Sequence, residues 1–176
     1  MKFQETSING VWEIEFDLIK DDRGTFRRHF CEVEFKKRDI CSLVRQTNIS
    51  ENTKRGTLRG FHFQKDPHWE PKTVSCLRGN AHSLIVDLRP DSKTFKKWIP
   101  FVLDSRKPVS VHVPMGCAMA WITLEDDTHL HYYMGDLYYP ELSGGIRYND
   151  PQFKFVWPFE PVVISEKDRT LPDYKL

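Results

Sequence analysis

The sequence predicts an all-β protein, a sandwich or closed barrel with a few short helices. Three observations predict it. Nine short runs, apolar or alternating, follow one another about ten residues apart, the spacing that sandwiches and barrels require. Turn residues separate them: Arg78-Gly79-Asn80, Arg89-Pro90-Asp91, Arg106-Lys107-Pro108, Pro114-Met115-Gly116 and Glu125-Asp126-Asp127. Aromatic residues make up 13% of the chain, which suits a β-rich core or a stacking site for a ring-shaped ligand.

The runs come in this order. Val11–Phe16 alternates apolar residues with glutamates. Phe30–Asp39 is the best helical stretch, and a short one. Leu43–Ile49 and Thr57–Gln64 follow as strands, then Thr73–Leu77 and the long apolar run Ala81–Leu88. Trp98–Leu103, Val109–Val113, Ala118–Leu124 and His129–Met134 complete the set. Beyond Asp150-Pro151 the tail carries Phe153, Phe155, Trp157 and Phe159, and should pack over the barrel. There is no repeat, linker or low-complexity tract, so residues 1–176 read as one domain.

Charge is balanced, with 26 basic and 25 acidic residues, which argues against a general nucleic-acid binder. No segment approaches the roughly 20 apolar residues of a membrane span. The start, Met1-Lys2-Phe3-Gln4-Glu5, lacks the apolar run of a secretory signal. Cys31, Cys41, Cys76 and Cys117 form no C-x-x-C pair, so zinc-type spacing is missing. The expectation is a cytoplasmic protein with reduced thiols.

The densest chemistry lies in Gly56-Thr57-Leu58-Arg59-Gly60-Phe61-His62-Phe63-Gln64, with Pro71-Lys72 soon after. An imidazole removes a carbon-bound proton near neutral pH. A neighbouring ammonium stabilises the oxyanion that results. Strict alternation puts His62 and Gln64 on one strand face with Leu58, and Arg59 on the other. Gly60 permits a bulge that would bring Arg59 round. Met119 shares a face with Trp121, and Tyr132 with Leu130, while His129 and His131 point the other way. An H-x-H pair is a familiar metal-binding arrangement in β-barrels, but no third histidine and carboxylate accompany this one. Taken alone, His62 reads as a structural histidine and Lys72, Arg59 and Asp168 as solvated charges; their shared context makes them candidates.

Eight segments occur in order: Asp22-Arg23-Gly24-x-Phe26, Gln46-x-Asn48-x-Ser50, Leu58 to Gln64, Val86-Asp87-Leu88-Arg89, Val113-Pro114-x-Gly116-x-Ala118, Gly145 to Pro151, Trp157-Pro158 and Ser165-x-Lys167-Asp168. Together they resemble the dTDP-4-dehydrorhamnose 3,5-epimerases, sugar-nucleotide epimerases of the cupin class. The resemblance implies a cupin jelly-roll, a homodimer sharing strands between subunits, and no metal or redox cofactor. It implies a nucleotide-diphosphate sugar as partner, a 4-keto-6-deoxyhexose epimerised at C3, C5 or both through an enolate. His62 would be the base, Asp168 its carboxylate partner, Lys72 the enolate stabiliser and Tyr132 the acid. Arg23, Arg59 and Gln46 would lie near the diphosphate or nucleotide, with Asn48 and Tyr138 lining the pocket.

The ketone explains the residue types. It acidifies the hydrogens on both flanking carbons, so a base on one face and an acid on the other invert the centre without hydride transfer. Three positions depart from the family pattern. Met119 stands where the family has a pocket histidine, Ser83 where it has an aspartate, and Arg28 where it has a glutamate. Met119 and Arg28 therefore join the substrate-contact candidates. The departures leave open a single-centre epimerase acting on another nucleotide sugar. A metal-dependent cupin enzyme and a non-catalytic nucleotide-sugar binder are the other readings.

Overall fold

The structure, a computed structural model, describes residues 1–175. Along the chain run β1 (Lys2–Glu5), β2 (Trp12–Glu15), β3 (Ile19–Asp21), β4 (Gly24–Phe26), helix α1 (Glu32–Lys36), β5 (Gln46–Asn52), β6 (Thr57–Gln64), β7 (Lys72–Arg78) and β8 (Asn80–Asp87). Then come β9 (Trp98–Asp104), β10 (Val109–Val113), β11 (Cys117–Thr123), β12 (Thr128–Met134), a 3-10 turn at Pro140–Leu142, β13 (Ser143–Gly145), β14 (Val163–Ile164) and helix α2 (Glu166–Arg169).

Two sheets face each other. One runs β1-β2-β10-β7-β12-β5 and the other β13-β6-β11-β8-β9, with β14 added parallel to β6. Strands β5 to β12 divide between the sheets as 5-12-7-10 and 6-11-8-9, the jelly-roll order of two interleaved Greek keys. The alternation of the sequence explains this packing. On β11, Met119 and Trp121 point between the sheets and join Val74, Ile85, Val111 and Leu130. Ala118 and Ala120 point outward, where their small side chains admit a second layer.

That second layer is the aromatic tail. Phe61 is fully buried and stacks on Phe155 at 4.2 Å between centroids, and Phe155 stacks on Phe153 at 5.0 Å. Burying a phenylalanine contributes up to about 3 kcal/mol. On the far side of the first sheet, α1 sets Phe35 against Ile14, Phe16 and Tyr133. The helix covers five residues, less than Phe30–Asp39, and its N-cap Cys31 makes no side-chain capping bond.

Strand β6 carries the expected irregularity. Met119 pairs with His62, yet Trp121 pairs with Arg59, so β6 has one extra residue between them. The bulge falls at Gly60, whose φ is +103°. A Cβ there would lie 2.7 Å from the Met119 carbonyl oxygen and 2.9 Å from Ala120 Cα, so only glycine fits. The bulge puts Arg59 and His62 opposite residues of one face. It also corrects strict alternation: Leu58 pairs with Ile122 and leaves the His62 face.

Candidate active site

One end of the gap between the sheets opens as a cavity of about 290 Å³. Strand β6 supplies His62 and Gln64 to one wall, and β11 supplies Met119 and Trp121. The facing sheet supplies Gln46 and Asn48 from β5, Lys72 from β7 and Tyr132 from β12. The registers align these facing residues, since Tyr132 lies between Asn48 and Val74, and Met134 between Gln46 and Lys72.

The His62 imidazole is held from behind. Its Nε2 lies 2.7 Å from Asp168 Oδ1, so the Nε2–H donates to the carboxylate and Nδ1 is left as the basic nitrogen. Asp168 is buried in α2, where the Ser165 hydroxyl accepts from its backbone N–H at 3.1 Å. Its other oxygen accepts the Gly60 N–H at 3.2 Å, tying the carboxylate to the β6 bulge. Burial pushes the Asp168 carboxyl up, but the His62 hydrogen bond and charge and the Gly60 N–H outweigh it and hold the group below its ordinary range.

Lys72 bridges the two walls. Its ammonium donates to the His62 carbonyl at 3.2 Å and to Glu70 Oε1 at 2.7 Å, and both side chains of the ion pair are buried. Across the gap, burial raises the Tyr132 phenol above its usual value; Arg59 pulls it down and Glu70 pushes it up. The phenol therefore stays protonated at neutral pH. Its ring packs on Trp121 at 5.9 Å between centroids. An imidazole on one sheet, a phenol on the other and an ammonium between them could carry proton removal and return on opposite faces of a ring.

Of the substrate-contact candidates, Gln46, Asn48, Met119 and Tyr138 line this cavity. Gln46 donates to Asn48 Oδ1 at 3.1 Å and accepts the Tyr138 N–H at 3.2 Å, which fixes the strand-to-loop corner. Arg59 donates to Asn52 Oδ1 at 2.8 Å and is exposed, with its charge bearing on Tyr132. Arg23 and Arg28 do not line the cavity. Arg23 lies on the β3–β4 hairpin, paired with Asp21 at 2.6 Å, and Arg28 follows that hairpin in the open. Ser83 is sealed behind the cavity opposite Trp121, its hydroxyl unpartnered. His131 sits on the other face of β12, where Thr47 Oγ1 meets its Nε2 at 2.8 Å.

Among the lining residues that escaped the sequence reading, two carry charge beside the central pair, Lys167 and Glu70. Lys167 stood inside the quoted Ser-x-Lys-Asp segment, adjacent to Asp168, and that adjacency was the available signal. Glu70 stood two residues before Lys72, the spacing of a shared strand face.

The chain is similar to known proteins along nearly its whole length. The family model described as dTDP-4-dehydrorhamnose 3,5-epimerase matches residues 5–175. A dTDP-4-dehydrorhamnose 3,5-epimerase of Methanothermobacter thermautotrophicus is 35% identical over 171 residues, covering 96% of this chain and 91% of that protein. A dTDP-4-dehydro-6-deoxyglucose 3-epimerase of a Streptomyces species is 32% identical, covering 94% and 85%. The crystal structure of the Bacillus anthracis 3,5-epimerase, with TDP and pyrophosphate bound, superposes with a TM-score of 0.93 at 33% identity, covering 97% and 98%. Fold, motif order and similarity along nearly the whole chain agree: this protein belongs to the dTDP-4-dehydrorhamnose 3,5-epimerase family.

Proposed function

We propose that the cavity epimerises a nucleotide-linked 4-keto-6-deoxyhexose at C3, C5 or both, without a cofactor. The His62–Asp168 pair carries this reading, because it leaves Nδ1 basic on the wall opposite the Tyr132 phenol. His62 Nδ1 takes the hydrogen on a carbon next to the ketone. The electron pair moves onto the keto oxygen, where a Lys72 N–H meets it. Asp168 steadies the imidazolium. Tyr132 gives a proton to the opposite face, and the centre inverts. Gln46, Asn48, Met119 and Tyr138 flank the substrate, and Arg59 meets its phosphates as a planar donor.

Hydrogen exchange tests the reading. In heavy water the protein should place deuterium at C3 or C5 of such a substrate, and the positions labelled count the centres that invert. His62→Ala should lower the exchange by at least about 100-fold. Folded protein that exchanges neither hydrogen is no epimerase of this class.

We further propose that two chains form a homodimer in which the β3–β4 hairpin of one protomer lies against its partner's cavity. The hairpin pairs with no other described strand, and it exposes Ile19 and Phe26 at 63% and 67%. It carries Arg23 and leads to Arg28, two candidates that a single chain leaves away from its own cavity. Sedimentation should give twice the chain mass, and Phe26→Asp should shift it toward one; a monomeric wild type removes the proposal. The four free thiols suit a reducing compartment, and we read the enzyme as cytoplasmic.

A further inference from the structure

We propose that Glu70 is a specificity-determining residue that accepts a hydrogen bond from the hydroxyl on C3 of the substrate, so that Lys72 and Glu70 together read an α-hydroxyketone. The inference rests on the epimerase reading above and names the part of the sugar that this corner of the site selects.

The ion pair needs an explanation that stability does not supply. Both side chains are buried in the cavity wall, at 7% and 9% exposure. Taking two charges out of water costs about as much as their attraction returns. A carboxylate 2.7 Å from Lys72 also weakens the pull of that ammonium on an enolate oxygen. Glu70 therefore opposes the chemistry unless it touches the substrate itself.

Its free valences point to such a contact. An ionised carboxylate has room for about four hydrogen bonds. The Glu70 carboxylate accepts one, from Lys72 through Oε1, and Oε2 accepts none from the described residues. Lys72 has three donors, of which Glu70 and the His62 carbonyl take two. The cavity wall thus presents one spare donor beside one spare acceptor. Of the β11 residues in the same cavity wall, Met119 is a thioether and the indole N–H of Trp121 is sealed from the cavity, so neither offers much to a hydroxyl.

A 4-keto-6-deoxyhexose has one matching pair. Of the carbons flanking the ketone, C5 carries the ring oxygen and a methyl group, and C3 carries a hydroxyl. With the keto oxygen on the spare Lys72 N–H, the C3 hydroxyl is the neighbouring donor, and Glu70 is the adjacent acceptor.

The test compares two substrates that differ only in the C3 hydroxyl, followed by deuterium entry at either carbon flanking the ketone, which both sugars permit. A site built to bind a hydroxyl rejects the analogue lacking it by up to about ten-thousand-fold. The wild type should favour the hydroxylated sugar by at least about 100-fold in kcat/KM. Glu70→Ala should reduce that preference to under about tenfold. Glu70→Gln keeps an acceptor but loses the charge, and should fall between. Because glutamine also preserves a partner for Lys72, it serves if the alanine variant does not fold. Exchange of both sugars without preference, or a preference unchanged in the variants, overturns the assignment and leaves the epimerase reading standing. Exchange of neither sugar by the wild type overturns both.

Discussion

At the scale of single residues, the proposed chemistry turns on the tautomer of His62. The Nε2–H is committed to a buried carboxylate that also accepts the Gly60 N–H, so the basic nitrogen is Nδ1. Asp168→Asn tests this with almost no change of shape. The asparagine oxygen still accepts from Gly60, but its NH2 now donates to Nε2, which moves the ring proton to Nδ1. In a histidine–carboxylate pair of this kind, that swap costs about 10⁴ in rate. Exchange at the sugar carbon should therefore fall by about 10³ to 10⁴ in Asp168→Asn while KM changes little; a rate near that of the wild type would show that the carboxylate does not set the tautomer. His62 and Asp168 were legible as candidates because each lies in an ordered motif, and Lys72 and Tyr132 because the resemblance that those motifs carry implies roles for them. Glu70 was not, because a glutamate beside a lysine in a loop is ordinarily a solvated pair. Only the third dimension shows that both are buried in one wall.

At the scale of elements, legibility follows strand length. β6 and β10 occupy Thr57–Gln64 and Val109–Val113, as their patterns predict. Strands β7, β8, β11 and β12 differ from their predicted bounds by a residue or so. These are strands of the jelly-roll core, where burial of a face imposes alternation. β5 begins at Gln46 instead of Leu43, because Leu43 and Val44 are exposed and pair with nothing, apolar though they are. β1, β3, β4, β13, β14 and α2 went unseen. Each spans two to four residues, too few to display a period, and β13 and β14 exist only because β6 offers them a distant edge. The bulge at Gly60 was foreseeable as a permission, since glycine allows it. Its effect on Leu58 was not, because a one-residue insertion moves everything before it to the other face.

At the scale of the whole molecule, the outer layer under α1 sets the response to acid. His112 is buried between the first sheet and Phe35, and Thr73 meets its Nδ1 at 2.9 Å. Burial lowers its pKa from 6.5 to about 4. His29 is also lowered to about 4, chiefly by burial and further by the neighbouring His131 and Arg27 charges. Both rings are neutral when folded, whereas the unfolded chain protonates them near pH 6.5. Their stabilisation is thus complete above pH 6.5 and is lost as pH falls toward 4. By pH 4.5 each should cost roughly 2–3 kcal/mol. Asp87 adds nothing in that window. Burial raises its carboxyl, but Arg89, Ser92 and Thr94 hold it down at about 2, so its contribution persists until pH falls below 3.8. Thermal unfolding should therefore drop by about 10–20 °C between pH 7 and 4.5, before any carboxylate loss begins. His112→Asn, which keeps an acceptor for Thr73, should flatten that slope relative to its own stability at pH 7, leaving the part due to His29 and to His82 and His131, whose pKa values burial also lowers. A melting temperature level across this range would mean that both rings titrate in the folded protein as they do in water, and that the layer under α1 is open to solvent.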